Sequence, residues 1–133
     1  MKRIALSMVV FAFVIGVSLN AAQAILPFKK QFDEKYVKKE STDPKDQAFA
    51  AAVKKANCLV CHAKNAEGKE DKKVRNAYGK ALDVLLDKKA DKDDVPKIQA
   101  ALDAVAKEKS NPDDPKSPTF GDLIKEGKLP GGD

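Results

Sequence analysis

The sequence predicts a small all-α domain of about four to five short helices. Apolar residues recur at three- and four-residue spacings in several stretches, the pattern of a helix with one buried face. Asp, Ser and Thr stand before these stretches, where their side chains cap helices, and a glycine follows the last one. No stretch alternates apolar and polar residues as a half-buried strand does. Together these observations favour a fold built from helices alone.

The N-terminus has the features of a secretory signal peptide. A basic pair, Lys2 and Arg3, is followed by an almost unbroken apolar run over residues 4–19. Ala22 and Ala24 then supply the small residues of an A-x-A-like cleavage site. The alternative is an uncleaved membrane anchor, for which the apolar run is short. We therefore expect cleavage after Ala24 and export to the periplasm, with no stable membrane span in the rest of the chain.

Removal of the signal peptide leaves one small domain. We divide the chain into the signal peptide (1–24), an N-terminal segment (25–44) and a main domain (45–133). The chain from residue 25 carries a formal charge of about +3, and its acids are interleaved with its lysines. Such a balance is typical of a solvated surface, so we expect no nucleic-acid partner.

The N-terminal segment carries an aromatic stripe. Phe28, Phe32 and Tyr36 recur at every fourth residue, as on one face of a short helix. The simpler interpretation is that the stripe packs on the core of the domain. The sharper one is that its rings cover the edge of a bound cofactor. A Ser-Thr-Asp-Pro sequence at 41–44 then marks a turn or a helix start.

The main domain opens with a helix that runs from about Lys45 to Cys58. Its apolar face follows the spacing of an amphipathic helix and comprises Phe49, Ala52, Val53 and Ala56. The polar stretch 63–73, which comes later, is expected to be a solvated loop.

The next helix has the longest apolar stripe in the chain. The stripe comprises Val74, Ala77, Tyr78, Ala81, Leu82, Leu85 and Leu86. Gly79 interrupts it, although glycine costs a helix about 1 kcal/mol relative to alanine. We therefore expect the backbone at Gly79 to approach something flat or bulky, either a cofactor or another helix.

Two further helices are expected after that. The third begins at the acidic residues 91–94 and ends near Lys109. A proline-rich connector, 110–118, leads to a short last helix that begins at Thr119 and is closed by Gly127.

A C-x-x-C-H motif at residues 58–62 contains the only two cysteines and the only histidine of the chain. Residues three apart lie on one face of a helical turn, so both thiols can reach the two vinyl groups of one haem. The adjacent imidazole is then held under the centre of the ring. The spacing therefore predicts one covalent haem c, with Cys58 and Cys61 bonded to the haem and His62 bound to its iron.

Three other interpretations compete with haem attachment. A structural disulfide or a thioredoxin-like C-x-x-C pair needs no histidine, and the latter belongs to a βαβ unit that the sequence does not suggest. A structural zinc site needs a fourth Cys or His ligand, which the chain lacks.

With its motif, its helix order and its lysine-rich exported domain, the chain resembles the small single-haem c-type cytochromes of bacteria. The resemblance is specific at Cys58, Cys61 and His62 and loose elsewhere. It implies thioether bonds at both cysteines, His62 as the proximal iron ligand, and haem attachment outside the cytoplasmic membrane. It also implies a fold in which the helix before the motif packs against the last helix and haem fills the core.

The chain departs from that family on the distal side of the iron. The usual distal ligand is a methionine or a second histidine, but Met1 and Met8 both lie in the signal peptide and no second histidine exists. The alternatives are an open or water-bound site, a lysine amine, the α-amine of Ile25, the side chain of Tyr78 or Asn76, or a partner's side chain. Without methionine ligation, the haem potential is expected to be lower than in Met/His relatives.

The function expected from these features is electron transfer between redox proteins, without catalysis. The candidate docking residues, which a merely solvated helix face would also explain, are Lys72, Lys73, Arg75 and Lys80. The alternative is a high-spin haem protein that binds NO, CO or peroxide, although a peroxidase would lack its usual distal acid–base histidine. A third class is a structural role for haem in an exported complex.

Overall fold

The computed structural model describes residues 27–132. The predicted signal peptide and Ile25 lie outside the described residues. In chain order, the elements are α1 (Pro27–Tyr36), α2 (Pro44–Ala56), a 3₁₀ turn (Asn57–Val60), β1 (His62–Lys64), β2 (Glu70–Arg75), α3 (Ala77–Leu85), α4 (Val95–Val105) and α5 (Phe120–Lys125).

The prediction of an all-α domain is wrong, because β1 and β2 pair as an antiparallel hairpin. The described part of the chain is therefore mixed, with about half of it helical. The register pairs His62 with Arg75 and Lys64 with Glu70, and a bulge follows His62. The stretch 63–73, expected to be a loop, thus contains most of both strands.

The hairpin escapes a periodicity search because neither face of β2 is buried. Four of its six residues are exposed and the other two are only partly buried, so no apolar alternation is required. The turn is instead set by Asn65, whose side-chain oxygen accepts hydrogen bonds from the backbone N–H groups of Glu67 and Lys69, both at 3.0 Å. Gly68 follows at a φ of +75°, which glycine adopts without strain.

The helix starts follow the capping chemistry expected from the sequence. Asp43 caps α2 by accepting a hydrogen bond from the Lys45 N–H at 2.8 Å. Asp94 caps α4 in the same way, and Thr119 and Asp122 form the reciprocal capping box of α5. None of the helices within residues 27–132 combines the length and apolarity needed to span a bilayer.

Helix α1 belongs to the same core as the main domain. Phe32 is 0% exposed, and Phe28 and Tyr36 pack partly buried against the core. The helix lies on α4, where Gln99 donates a side-chain hydrogen bond to Gln31 at 2.7 Å. The aromatic stripe therefore packs on the core of the domain, as in the simpler of the two interpretations of the sequence.

The centre of the core is an aromatic cluster. The Tyr78 ring lies edge-on to Phe32 and to Phe120, with ring centres 5.8 and 5.2 Å apart. The helix pairs in closest contact are α1 with α4 and α3 with α4, rather than the helix before the motif with the last helix. The described core is therefore filled by aromatic and aliphatic side chains, with the motif against one side of it.

Replacement of Phe32 by alanine should lower the free energy of unfolding by about 3–5 kcal/mol, because it leaves a cavity next to Tyr78. Urea unfolding of the purified protein measures this. Val84→Ala is the control, since Val84 is 84% exposed, and should change stability by no more than about 0.5 kcal/mol. Equal midpoints for Phe32→Ala and Val84→Ala would contradict the placement of α1 in the core.

Candidate haem-attachment site

The motif begins where α2 is forced to end. Asn57 has a φ of +46°, the only positive φ of a non-glycine residue in the part of the chain that the structure describes. Asparagine tolerates this left-handed region better than most residues. Its N–H still donates to the Val53 carbonyl, so the chain leaves the helix with its last turn closed. The change of direction presents Cys58 at the start of the 3₁₀ turn.

The 3₁₀ turn aligns the two cysteines. With three residues per turn, side chains at i and i+3 are eclipsed, more closely than in an α-helix. The Cys61 N–H donates to the Cys58 carbonyl at 3.2 Å, which closes this turn. Both residues are partly buried, and neither is in a disulfide. Cys58 and Cys61 thus stand at the two ends of one closed turn, the spacing that attachment to a single planar group requires.

The Cys61 thiol is protonated at neutral pH. Burial raises the pKa of Cys61 to about 12, against the opposing attraction of the Lys29 ammonium and the Arg75 guanidinium. Redox-active C-x-x-C pairs depend on a lowered thiol pKa. The environment of Cys61 therefore does not activate this thiol as a nucleophile.

His62 is oriented by the hairpin. Its Nδ1 lies 3.2 Å from the carbonyl oxygen of Val74, on the neighbouring strand β2. A carbonyl can only accept, so in this pair Nδ1 carries the proton and Nε2 carries the lone pair. Metal-bound histidines are commonly held this way, with the second ring nitrogen donating to a carbonyl.

Tyr78, a candidate distal ligand, lies in the core. Its side chain is 0% exposed, and within the described residues its hydroxyl has no hydrogen-bond partner. Burial raises the pKa of Tyr78 far above its ordinary value, and the neighbouring Tyr36 and Cys61 add to the shift. This buried hydroxyl near Cys61 is therefore free to form a hydrogen bond with a polar group of a bound cofactor.

Asn76, the second candidate, is engaged at both ends of its side chain. Its amide nitrogen donates to backbone carbonyls of the motif, the nearest that of Leu59 at 2.9 Å. Its oxygen accepts from the Gly79 N–H at 2.9 Å and so caps α3. The side chain that was a candidate iron ligand is therefore hydrogen-bonded to backbone groups of the protein. The third candidate, Ile25, lies outside the described residues.

The close approach expected at Gly79 is present, and its partner is the motif itself. A Cβ at Gly79 would lie 1.9 Å from the Cys61 carbonyl oxygen. The first turn of α3 thus packs directly on the backbone of Cys61, and only glycine leaves room for it.

Two groups that shape the site were missed in the sequence analysis. One is the Val74 carbonyl, a backbone atom that carries no residue-specific signal. The other is the C-terminal tail, where Pro130 is buried and a Cβ at Gly131 would lie 1.9 Å from the Asn76 amide nitrogen. The Leu-Pro-Gly sequence after α5 was the available signal, since proline and glycine together often mark a fixed change of direction.

The candidate docking residues lie on β2 and α3. Lys72, Lys73 and Lys80 are exposed, whereas the Arg75 guanidinium pairs with the Asp83 carboxylate at 2.7 Å. Three of the four cations thus face solvent on the elements that flank His62.

A cleft of about 700 Å³ lies away from the motif residues. It lies between α1, α2, α4 and α5, and the charges along it partly neutralise one another, as in the pair of Lys35 with Asp103 at 2.8 Å. None of the three motif side chains lines it.

Comparisons of the chain with protein-family models, with curated proteins and with solved structures found no match. The site is therefore interpreted from its own residues.

Gly79→Ala should destabilise the protein by about 1–3 kcal/mol, because the new Cβ would overlap the Cys61 carbonyl. On an unobstructed helix the same change would stabilise by about 1 kcal/mol, so the two outcomes differ in sign. Urea unfolding decides between them, with the neighbouring exposed Lys80→Ala as the control near wild type. A Gly79→Ala protein as stable as wild type would refute the close contact between α3 and the motif.

Proposed function

We propose that this chain is an exported, single-haem c-type cytochrome that transfers electrons in the periplasm. The observation that carries the proposal is the joint geometry of the motif. The backbone hydrogen bond of one 3₁₀ turn joins Cys58 and Cys61, and Nδ1 of the His62 imidazole lies against a carbonyl. That combination serves covalent haem and is more than a disulfide or a zinc site requires.

The residues present fit one haem c. Cys58 and Cys61 would hold it through thioethers, and His62 would bind its iron through Nε2. The orphaned hydroxyl of Tyr78, beside Cys61, offers one further polar contact. When bound, haem supplies a one-electron couple between ferrous and ferric iron.

The contribution of the hairpin is to tune the imidazole. The Val74 carbonyl accepts a hydrogen bond from the Nδ1–H group of His62. This bond fixes the orientation of the ring and raises the basicity of Nε2. A more basic ligand favours ferric over ferrous iron. A more basic imidazole would therefore lower the haem potential, as the absence of a methionine ligand also would.

The position of the motif suits electron exchange with a partner protein. Cys58 and His62 are only partly buried, so a group that they hold lies close to the surface. Exposed lysines lie on the strand paired with β1, at Lys72 and Lys73, and on α3, at Lys80. An acidic redox partner would be guided toward these lysines and held briefly.

The raised pKa of the Cys61 thiol keeps it protonated at neutral pH, so any thiol–disulfide exchange at this pair would have to start from Cys58.

A second function, small-ligand binding at high-spin iron, is favoured by one observation. From residue 25 onward the chain contains no methionine and no second histidine, and the amide of Asn76 is committed to backbone partners. An open sixth position would admit NO, CO or peroxide. The third class, a structural role for haem, has no specific feature in its favour.

The attachment is tested by expressing the full chain in a bacterium that attaches c-type haem. The wild-type protein should keep its haem absorption after denaturation. The Cys58→Ala, Cys61→Ala double variant should lose covalent haem completely, since no other cysteine can form a thioether. The control is Ser117→Ala, which alters a side chain near α5 and leaves the motif intact. Covalent haem in the double variant would refute the proposal.

Visible spectra of the oxidised, reduced and CO-treated wild-type protein then separate the two functions. Electron transfer predicts low-spin bands that CO leaves unchanged, because a six-coordinate iron changes little in geometry between its oxidation states. High-spin bands that shift on addition of CO would contradict that prediction and favour the ligand-binding function.

A further inference from the structure

Asn76 donates to the last four of the five backbone carbonyls of the motif. Its side-chain nitrogen lies 2.9 Å from the carbonyl oxygen of Leu59, 3.1 Å from that of Val60 and 3.2 Å from that of His62. Its backbone N–H donates to the remaining carbonyl, that of Cys61, at 3.1 Å. Four consecutive carbonyls thus accept hydrogen bonds from one residue. An amide nitrogen has only two protons, so these bonds are partly shared.

The surroundings of Asn76 leave its side chain no other arrangement. Its oxygen caps α3 by accepting from the Gly79 N–H at 2.9 Å. On the other side, Gly131 approaches so closely that a Cβ there would lie 1.9 Å from the Asn76 amide nitrogen and 3.0 Å from the Val60 carbonyl oxygen. The tail therefore closes over the amide, and both ends of the side chain are fixed.

From this geometry we propose that Asn76 is the positioning residue of the haem site. This inference rests on the proposed function. The side chain ties the 3₁₀ turn, which carries the thiols, to the first residue of β1, which carries the imidazole. It keeps His62 at the distance from β2 at which Nδ1 can donate to Val74. Asn76 acts on the iron only through His62 and does not itself touch it.

The consequence is an effect on the redox couple that is separate from stability. Loss of the amide frees the backbone of His62, and the hydrogen bond from Nδ1 to Val74 weakens. A less basic imidazole binds ferric iron less well relative to ferrous iron. Outer-shell partners of metal ligands are typically worth 10- to 100-fold in metal affinity. A tenfold loss that falls on the ferric form alone raises the potential by about 59 mV, the equivalent of tenfold for one electron.

The test compares haem-loaded, full-length variants by redox titration. Asn76→Ser keeps a hydroxyl that can cap α3 but removes the amide donors. It should attach haem covalently and show the raised potential. Asn111→Ser makes the same chemical change in the connector 110–118, where the side-chain oxygen accepts a hydrogen bond from the Asp113 N–H at 3.1 Å, and should match wild type. Leu102→Ala, which removes a side chain 1% exposed on α4, controls for general destabilisation and should also keep the wild-type potential.

Each outcome of the redox titration either supports or overturns the positioning role of Asn76. A raised potential in Asn76→Ser alone supports the positioning role, whereas a wild-type potential in that variant overturns it while the proposed function stands. Asn76→Thr, which also keeps a capping hydroxyl, guards against poor folding of the serine variant. If neither variant accumulates with haem while Asn111→Ser does, Asn76 serves folding and the positioning role is overturned. A wild-type protein without covalent haem overturns the proposed function, and this inference with it.

Discussion

The hydrogen bond between His62 Nδ1 and the Val74 carbonyl is the interaction on which the account of the site depends. It selects the tautomer of the only histidine and leaves Nε2 with a lone pair. A single hydrogen bond of this kind contributes only about 0.5–1.5 kcal/mol to stability, so it cannot hold the geometry by itself. The geometry is held by the hairpin, which places β2 beside β1, and by the backbone contacts that fix the motif before β1.

Those contacts explain how so short a hairpin keeps a fixed position relative to the rest of the domain. Its strands bury little apolar surface, and an isolated two-stranded hairpin is marginal in water. Here it is continuous with the motif, and the motif is packed on one side by α3 through Gly79. Helix α3 in turn rests on α4, and its Tyr78 ring joins the aromatic cluster that includes Phe32 of α1. The orientation of one imidazole thus depends on a chain of contacts that extends to the first described helix.

The parts of this arrangement that the sequence predicted are those with a local cause. Caps such as Asp43 and Thr119 act within three residues, so they mark helix starts without any knowledge of the fold. The roles of the three motif residues were likewise inferred from their spacing, and they stay a prediction. The hairpin was missed because a solvated strand has no need of apolar alternation.

Other features of the site were beyond the reach of local patterns. The Val74 carbonyl belongs to the backbone, so its role leaves no mark on residue type. Asn76 was noticed as a candidate iron ligand, whereas its side chain bonds to carbonyls 14 to 17 residues earlier in the chain. Only the folded packing brings those groups together, and the same holds for Gly131 of the tail.

The central claim, that this chain carries one covalent haem after export, is tested most directly by the intact mass of the purified protein. The protein should be produced from the full sequence in a host that exports it and attaches c-type haem, then denatured before measurement. We expect an intact mass equal to that of residues 25–133 plus one haem. The mass of the polypeptide alone, or that mass less the two hydrogens lost in forming a disulfide between Cys58 and Cys61, would contradict it.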